Sequence, residues 1–179
     1  MFGAKKEVLS AGSKYLVPGV QNATVVSLDI EELNEKRVLM LKLKAQGEPN
    51  ESATLFRMYT TDKAINYTMN QLYEIIRAID PTAESVDAES FEDYIAKVKP
   101  FIIGKSYIQK LIGRQGSDGK YYTNMPLSSR NEKNKDATIA CAIGTEPTFT
   151  YDQSNPYDYV ANKDLAGAGA TQAEAPKWG

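Results

Sequence analysis

From Val20 to Glu31 the chain alternates, with Val20, Thr24, Val26, Leu28 and Ile30 on one parity and Gln21, Ala23, Ser27, Asp29 and Glu31 on the other. A period of two marks a strand with one face in a core. After the polar stretch from Glu31 to Lys36, Leu39, Leu41 and Leu43 share one face and Val38, Met40, Lys42 and Lys44 the other, which predicts a second strand paired as a hairpin. Gly47 and Pro49 break that strand. The run ATLFRMYT, 53–60, predicts a third, with Phe56 and Met58 on one face and Arg57 and Tyr59 on the other.

The period then lengthens. Ile65, Met69, Leu72, Ile76 and Ile79 recur at helical spacing after a cap at Thr61 or Asp62, and Asp80-Pro81 ends the pattern. Ser90 and Asp93 open a shorter helix with Phe91, Tyr94, Ile95 and Val98 on its apolar side and Pro100 as its limit. Residues 105–114, KSYIQKLIGR, and 121–127, YYTNMPL, predict a fourth and fifth strand joined by a glycine-containing turn. TIACAI, 138–143, suits one more short strand, in which Cys141 is a buried, inert thiol. The predicted organisation is an arm over 1–19, a domain over 20–144 and a flexible tail over 145–179.

Three strands, a helix pair and two strands make a mainly β chain with helices. The order fits an OB-fold-like five-stranded β-barrel with its main helix between strands 3 and 4. An antiparallel α+β sheet with helices on one face gives the same order.

Composition narrows the chemistry. The 179 residues include no histidine and one cysteine, which removes imidazole bases, imidazole metal sites, thiolate clusters and intrachain disulfides. No apolar run approaches a membrane span and no secretory leader is evident, so a cytoplasmic location is expected. The Glu31, Glu32 and Glu35 cluster reads as a solvated turn, and no glycine pattern forms a phosphate loop. No cofactor, metal site or catalytic residue is expected, and an enzyme working through carboxylates and a metal has no supporting constellation.

The formal charge is −2, yet residues 99–135 carry eight basic and two acidic side chains. A basic quarter in an acidic protein is a candidate polyanion surface. Lys42, Lys44, Arg57 and Tyr59 on strands 2 and 3, with Lys105, Tyr107, Lys110, Arg114, Lys120, Tyr121 and Tyr122 on strands 4 and 5, combine cations for phosphates with rings on which bases stack. A solvated strand face would present the same residue types one by one; as a set they favour a groove for single strands. The tail carries five acidic against two basic residues, with Tyr151, Tyr157, Tyr159 and Trp178 as anchors for a partner.

The segments YLVPGVQNATVVSLDI (15–30), VLMLKLKA (38–45), Thr61-Asp62-Lys63-Ala64 and FIIGKSYIQKLIGRQGSDGKYY (101–122) resemble the single-stranded DNA-binding proteins of tailed bacteriophages, over residues 15–127. The resemblance implies an OB-fold that coats single strands in replication or recombination, without catalysis and often as an oligomer. It departs at the end: that family finishes on a strongly acidic tail with a terminal aromatic, whereas this chain closes EAPKWG. Partners on this reading are single-stranded DNA, further copies of the chain, and replication or recombination proteins reached through the tail. The alternative is a phage structural or assembly protein whose β-domain docks other proteins.

Overall fold

The computed structural model describes residues 15–115, 121–126 and 134–151. Its strands are β1 (Gly19–Leu33), β2 (Lys36–Ala45), β3 (Thr54–Tyr59), β4 (Ser106–Gln115), β5 (Tyr121–Asn124) and β6 (Ala140–Cys141). Between β3 and β4 stand two helices, α1 (Ile65–Ile79) and α2 (Phe91–Ile102). All strand pairs are antiparallel, in the order β3-β2-β1-β4-β5, with β6 also on β4. The chain is thus mainly β with two helices, as expected, and its described strands form one open six-stranded sheet in which β3 and β5 do not pair.

The hairpin of β1 and β2 turns on Asn34 and Glu35, both at positive φ (53° and 65°), the geometry that matches strand twist in a two-residue loop. β1 is long enough to serve two neighbours. Its first part pairs with β4, Gly19 to Leu111 through Thr24 to Ser106, and its length from Ala23 pairs with β2. The β1–β2 register shifts between Val25 and Ser27. That extra residue exchanges the strand's faces: Ala23 and Val25 enter the core before it, Leu28 after it, and Val20 is exposed. The expected single parity from Val20 to Ile30 therefore holds only beyond the bulge.

Leu39, Leu41, Leu43, Phe56 and Met58 fill the core from β2 and β3, as their alternation predicts. Each fully buried side chain of this size contributes roughly 1.5 to 3 kcal/mol. Helix α1 lies against β4 and β6, and α2 against β1. On α1 the buried residues are Thr68, Gln71, Leu72, Ile75 and Ala78, whereas Met69, Ile76 and Ile79 are half-buried. Its apolar stripe is wider than the core takes up. No side chain caps α1; Thr61 O instead accepts the N–H groups of Ala64 and Ile65. Ser90 does cap α2, its hydroxyl accepting the Asp93 N–H at 3.0 Å while the Asp93 carboxylate accepts the Glu89 N–H at 3.0 Å. Pro100 does not end α2, which runs on to the buried Ile102. Gly104, at φ +79°, turns the chain so that its N–H reaches Val25 O and β4 can begin beside β1.

Residues 145–151, assigned from sequence to the tail, pack on β4. Phe149 is 2% exposed in a small cluster with Ile112 and Ile139, and the Tyr151 hydroxyl donates to Leu111 O at 2.7 Å. Asn134 holds the segment by accepting the Thr150 N–H and donating to Thr150 O. At the other end Leu16 is buried, so the predicted arm joins the fold before its expected limit; residues 1–14 and 152–179 lie outside the described residues. Cys141 is half-buried rather than buried.

Candidate nucleic-acid interface

The proposed residues do not form one surface. Four of them share the outer face of β2 and β3, where Val38 stands opposite Tyr59, Met40 opposite Arg57 and Lys42 opposite Leu55. Lys42 and Arg57 occupy diagonal positions, about 7 to 8 Å apart at the backbone. Val38 and Met40, on the same face beside Tyr59 and Arg57, are buried and form an apolar floor, while Tyr59 presents 52% of its surface. Lys44 continues the row beyond Lys42, with its ammonium donating to Asn50 Oδ1 at 3.0 Å. Lys42 and Arg57 are exposed and make no ion pair with any described residue.

The charge of this face is graded along β1. Thr24 and Ser27 lie beside Lys44 and Lys42, whereas Asp29 and Glu31 lie beside Met40 and Val38. Asp29 is answered by Lys99 of α2 at 2.8 Å. Arg37 pairs with Glu92 and stacks 4.7 Å over the Phe91 ring, which holds the Glu92 carboxyl below its usual range. These cations are already committed, so the basic end at Lys42, Lys44 and Arg57 is the part open to an external anion.

The β4 residues separate from this set. Tyr107 is 0% exposed and turned into the core, a correction to its place in the groove; its hydroxyl donates to Gln109 Oε1 at 2.7 Å, and burial raises its pKa well above normal. Gln109, also buried, passes its amide hydrogens to Ile139 O and Lys110 O. A buried hydroxyl needs such a partner, and the Tyr107–Gln109 pair supplies it.

Lys110 faces the chain's own C-terminal segment. Its ammonium donates to Phe149 O and sits 4.6 Å from the Tyr151 ring centroid, clasping the C-terminal segment. Desolvation lowers its pKa, against a smaller opposing pull from Glu146. Lys105 is exposed, but it lines the groove between the helices on the opposite side of the sheet from Lys42. Arg114 pairs with Tyr122 and Gln115 with Tyr121 in the β4–β5 ladder; Tyr122 is half-buried, and Lys120 lies outside the described residues.

A concave feature elsewhere was not foreseen. A groove of about 910 Å³ opens between α1 and α2, lined by Met69, Tyr73, Ile76, Tyr94, Val98 and Phe101 among others. The signal for it was the excess width of the α1 stripe, with Tyr73 and Ile76 beyond the core-facing positions.

One carboxylate stands apart. Glu74 of α1 accepts the Ile139 N–H at 3.1 Å, and burial pushes its pKa up to about 7 against that hydrogen bond, which lowers it. Among the described residues no three His, Cys, Asp or Glu side chains converge as a metal site would require, and no helix is long and apolar enough to cross a membrane. Compared with known proteins, the chain matches no family model and no curated protein.

Proposed function

We propose that this is a non-enzymatic, sequence-tolerant single-stranded DNA-binding protein of phage replication or recombination, acting in the host cytoplasm, and that its binding surface is the outer face of β2 and β3. Lys42, Lys44 and Arg57 answer phosphates, and Tyr59 stacks on a base. The observation that carries the reading is the register of these four residues: three cations and an exposed ring on one face over an apolar floor, with Lys42 and Arg57 unpaired among the described residues. Bases stack on such rings without regard to sequence, and phosphate contacts release counterions. An OB-type architecture, a partly open barrel, is supported by the long β1 shared between β2 and β4 and by helices inserted between β3 and β4.

The test is fluorescence anisotropy of a labelled oligo-dT about 30 nucleotides long, titrated over a range of salt with duplex as competitor. Three phosphate contacts per bound protein give a slope of about −2 in log K against log salt. Tyr59→Ala costs about 1 to 3 kcal/mol if its ring stacks on one base. Absence of binding at low salt, or equal competition by duplex, refutes the reading. A second reading, protein docking through the same domain, is favoured by the apolar groove between α1 and α2.

A further inference from the structure

The groove between α1 and α2 exposes more apolar surface than a helix pair packed on a sheet requires. Phe101 is 64% exposed and Tyr73 52%. They stand beside an interior already closed by Leu72, Ile75, Ile95, Val98 and Ile102, so the exposed set contributes little to the core. Surfaces of this kind are covered in use.

The rim says by what. The connection from α1 into α2, residues 80–93, contains six acidic residues and no lysine or arginine. Asp80 is engaged by Thr82, Glu92 by Arg37 and Asp93 by Lys97. Asp80 and Glu84 line the groove, with Lys105 as the cation in its lining, and Asp87 and Glu89 follow in the same connection; the carboxylates of Glu84, Asp87 and Glu89 have no cationic partner among the described residues. An apolar groove with an acidic border selects an apolar segment carrying cations, and disfavours nucleic acid.

The N-terminal segment of this chain has that chemistry. Residues 1–14 hold Phe2, Val8 and Leu9 together with Lys5, Lys6 and Lys14 against a single acid, Glu7. Residues 152–179 carry four acids and two lysines, so the acidic border repels them. The isologous pairing of two grooves would bring two acidic borders together. Reach is sufficient: fourteen residues span up to about 46 Å, while a domain of this size has a radius of gyration of about 14 Å.

We propose that residues 1–14 dock in the α1–α2 groove, their apolar side chains against Tyr73 and Phe101 and their lysines against Glu84 and Asp87, in the same chain or a neighbouring copy. The inference does not depend on DNA binding, since the groove and the β2–β3 face lie on opposite sides of the sheet.

The experiment uses the full chain with Cys141→Ser, adding Ser10→Cys and Lys105→Cys as the test pair or Ser10→Cys and Lys42→Cys as the control, and a short bismaleimide as cross-linker. Docking predicts at least tenfold faster linking of the test pair, seen as an internally bridged monomer or as a dimer. Phe101→Asp, or Glu84→Lys with Asp87→Lys, should reduce that rate toward the control, with circular dichroism confirming that these exposed substitutions leave the fold intact. Equal rates for test and control pairs overturn the proposal. So does a fast test pair that neither Phe101→Asp nor the charge reversal slows.

Discussion

Replacing Glu74 by glutamine isolates one proton in the stability of the fold. Glu74 gives up part of its hydration to sit under β6, where its Oε1 accepts the Ile139 N–H. Burial is the larger influence and pushes its pKa from 4.5 up to about 7. The folded state therefore holds the Glu74 proton more tightly than the unfolded chain does. Stability from this group is fully present below about pH 4.5 and is lost as pH rises through about 7. At about 1.36 kcal/mol per pKa unit the whole shift would correspond to about 3 kcal/mol; residual exposure and solvent screening reduce the expected effect to about 1 to 2 kcal/mol. The chain has no histidine, the side chain whose ordinary pKa lies in that window. Asp80, Glu92 and Asp93 have lowered pKa values through Thr82, Arg37 and the Glu89 N–H respectively, and their contributions are lost only in more acidic solution. Glutamine keeps an oxygen for Ile139 and cannot ionise. Urea unfolding followed by circular dichroism at pH 5 and pH 8 should show Glu74→Gln close to wild type at pH 5 and more stable by about 1 to 2 kcal/mol at pH 8. A stability difference of the same size at both pH values would refute the reasoning, because the carboxyl would then titrate alike in folded and unfolded chains.

Other substitutions test separate parts of the structure. Tyr107→Phe leaves Gln109 Oε1 without its buried donor and should cost about 1 to 3 kcal/mol in urea unfolding. Ser90→Ala removes the α2 cap and should cost about 1 kcal/mol, with faster amide exchange confined to the first turn. Lys110→Gln should loosen residues 145–151 in hydrogen exchange and leave the salt slope of oligo-dT binding unchanged, because its ammonium is spent on Phe149 O. Arg57→Ala, by contrast, should make that slope shallower by about 0.7.

Where one face of a strand met water and the other met the core, the sequence could be read directly. Leu39, Leu41 and Leu43, or Phe56 and Met58, left no doubt about which way Lys42, Arg57 and Tyr59 pointed. β4 resisted the same logic because both its faces are covered. Ile108 and Ile112 are buried on the side away from the core, Ile112 under Ile139 and Phe149, so Tyr107 and Lys110 could not be assigned from alternation. The covering residues come from about 30 positions further along, in a stretch whose composition resembles a solvated tail. The β1 bulge was hidden for a related reason: an inserted residue leaves both halves alternating and changes only which half faces inward. Whether the sheet closes was illegible because strand order on a linear chain does not reveal whether the first and last ladders meet.

The double engagement of β1 also governs the order in which a growing chain can fold. Thr24 and Ser106, whose hydroxyls meet at 2.7 Å, are 82 residues apart. At roughly 5 to 20 residues per second of synthesis, the N-terminal half of β1 waits about 4 to 16 s for its partner strand. The β1–β2–β3 meander has everything it needs for its ladders within the first 60 residues, but during that interval it carries an unpaired edge along residues 19–24. An unpaired edge is a template for strands of other nascent chains. Slow stretches of translation between β3 and β4 would lengthen that exposure, so aggregation during expression should respond to codon choice over residues 60–105 more than to any change after β4.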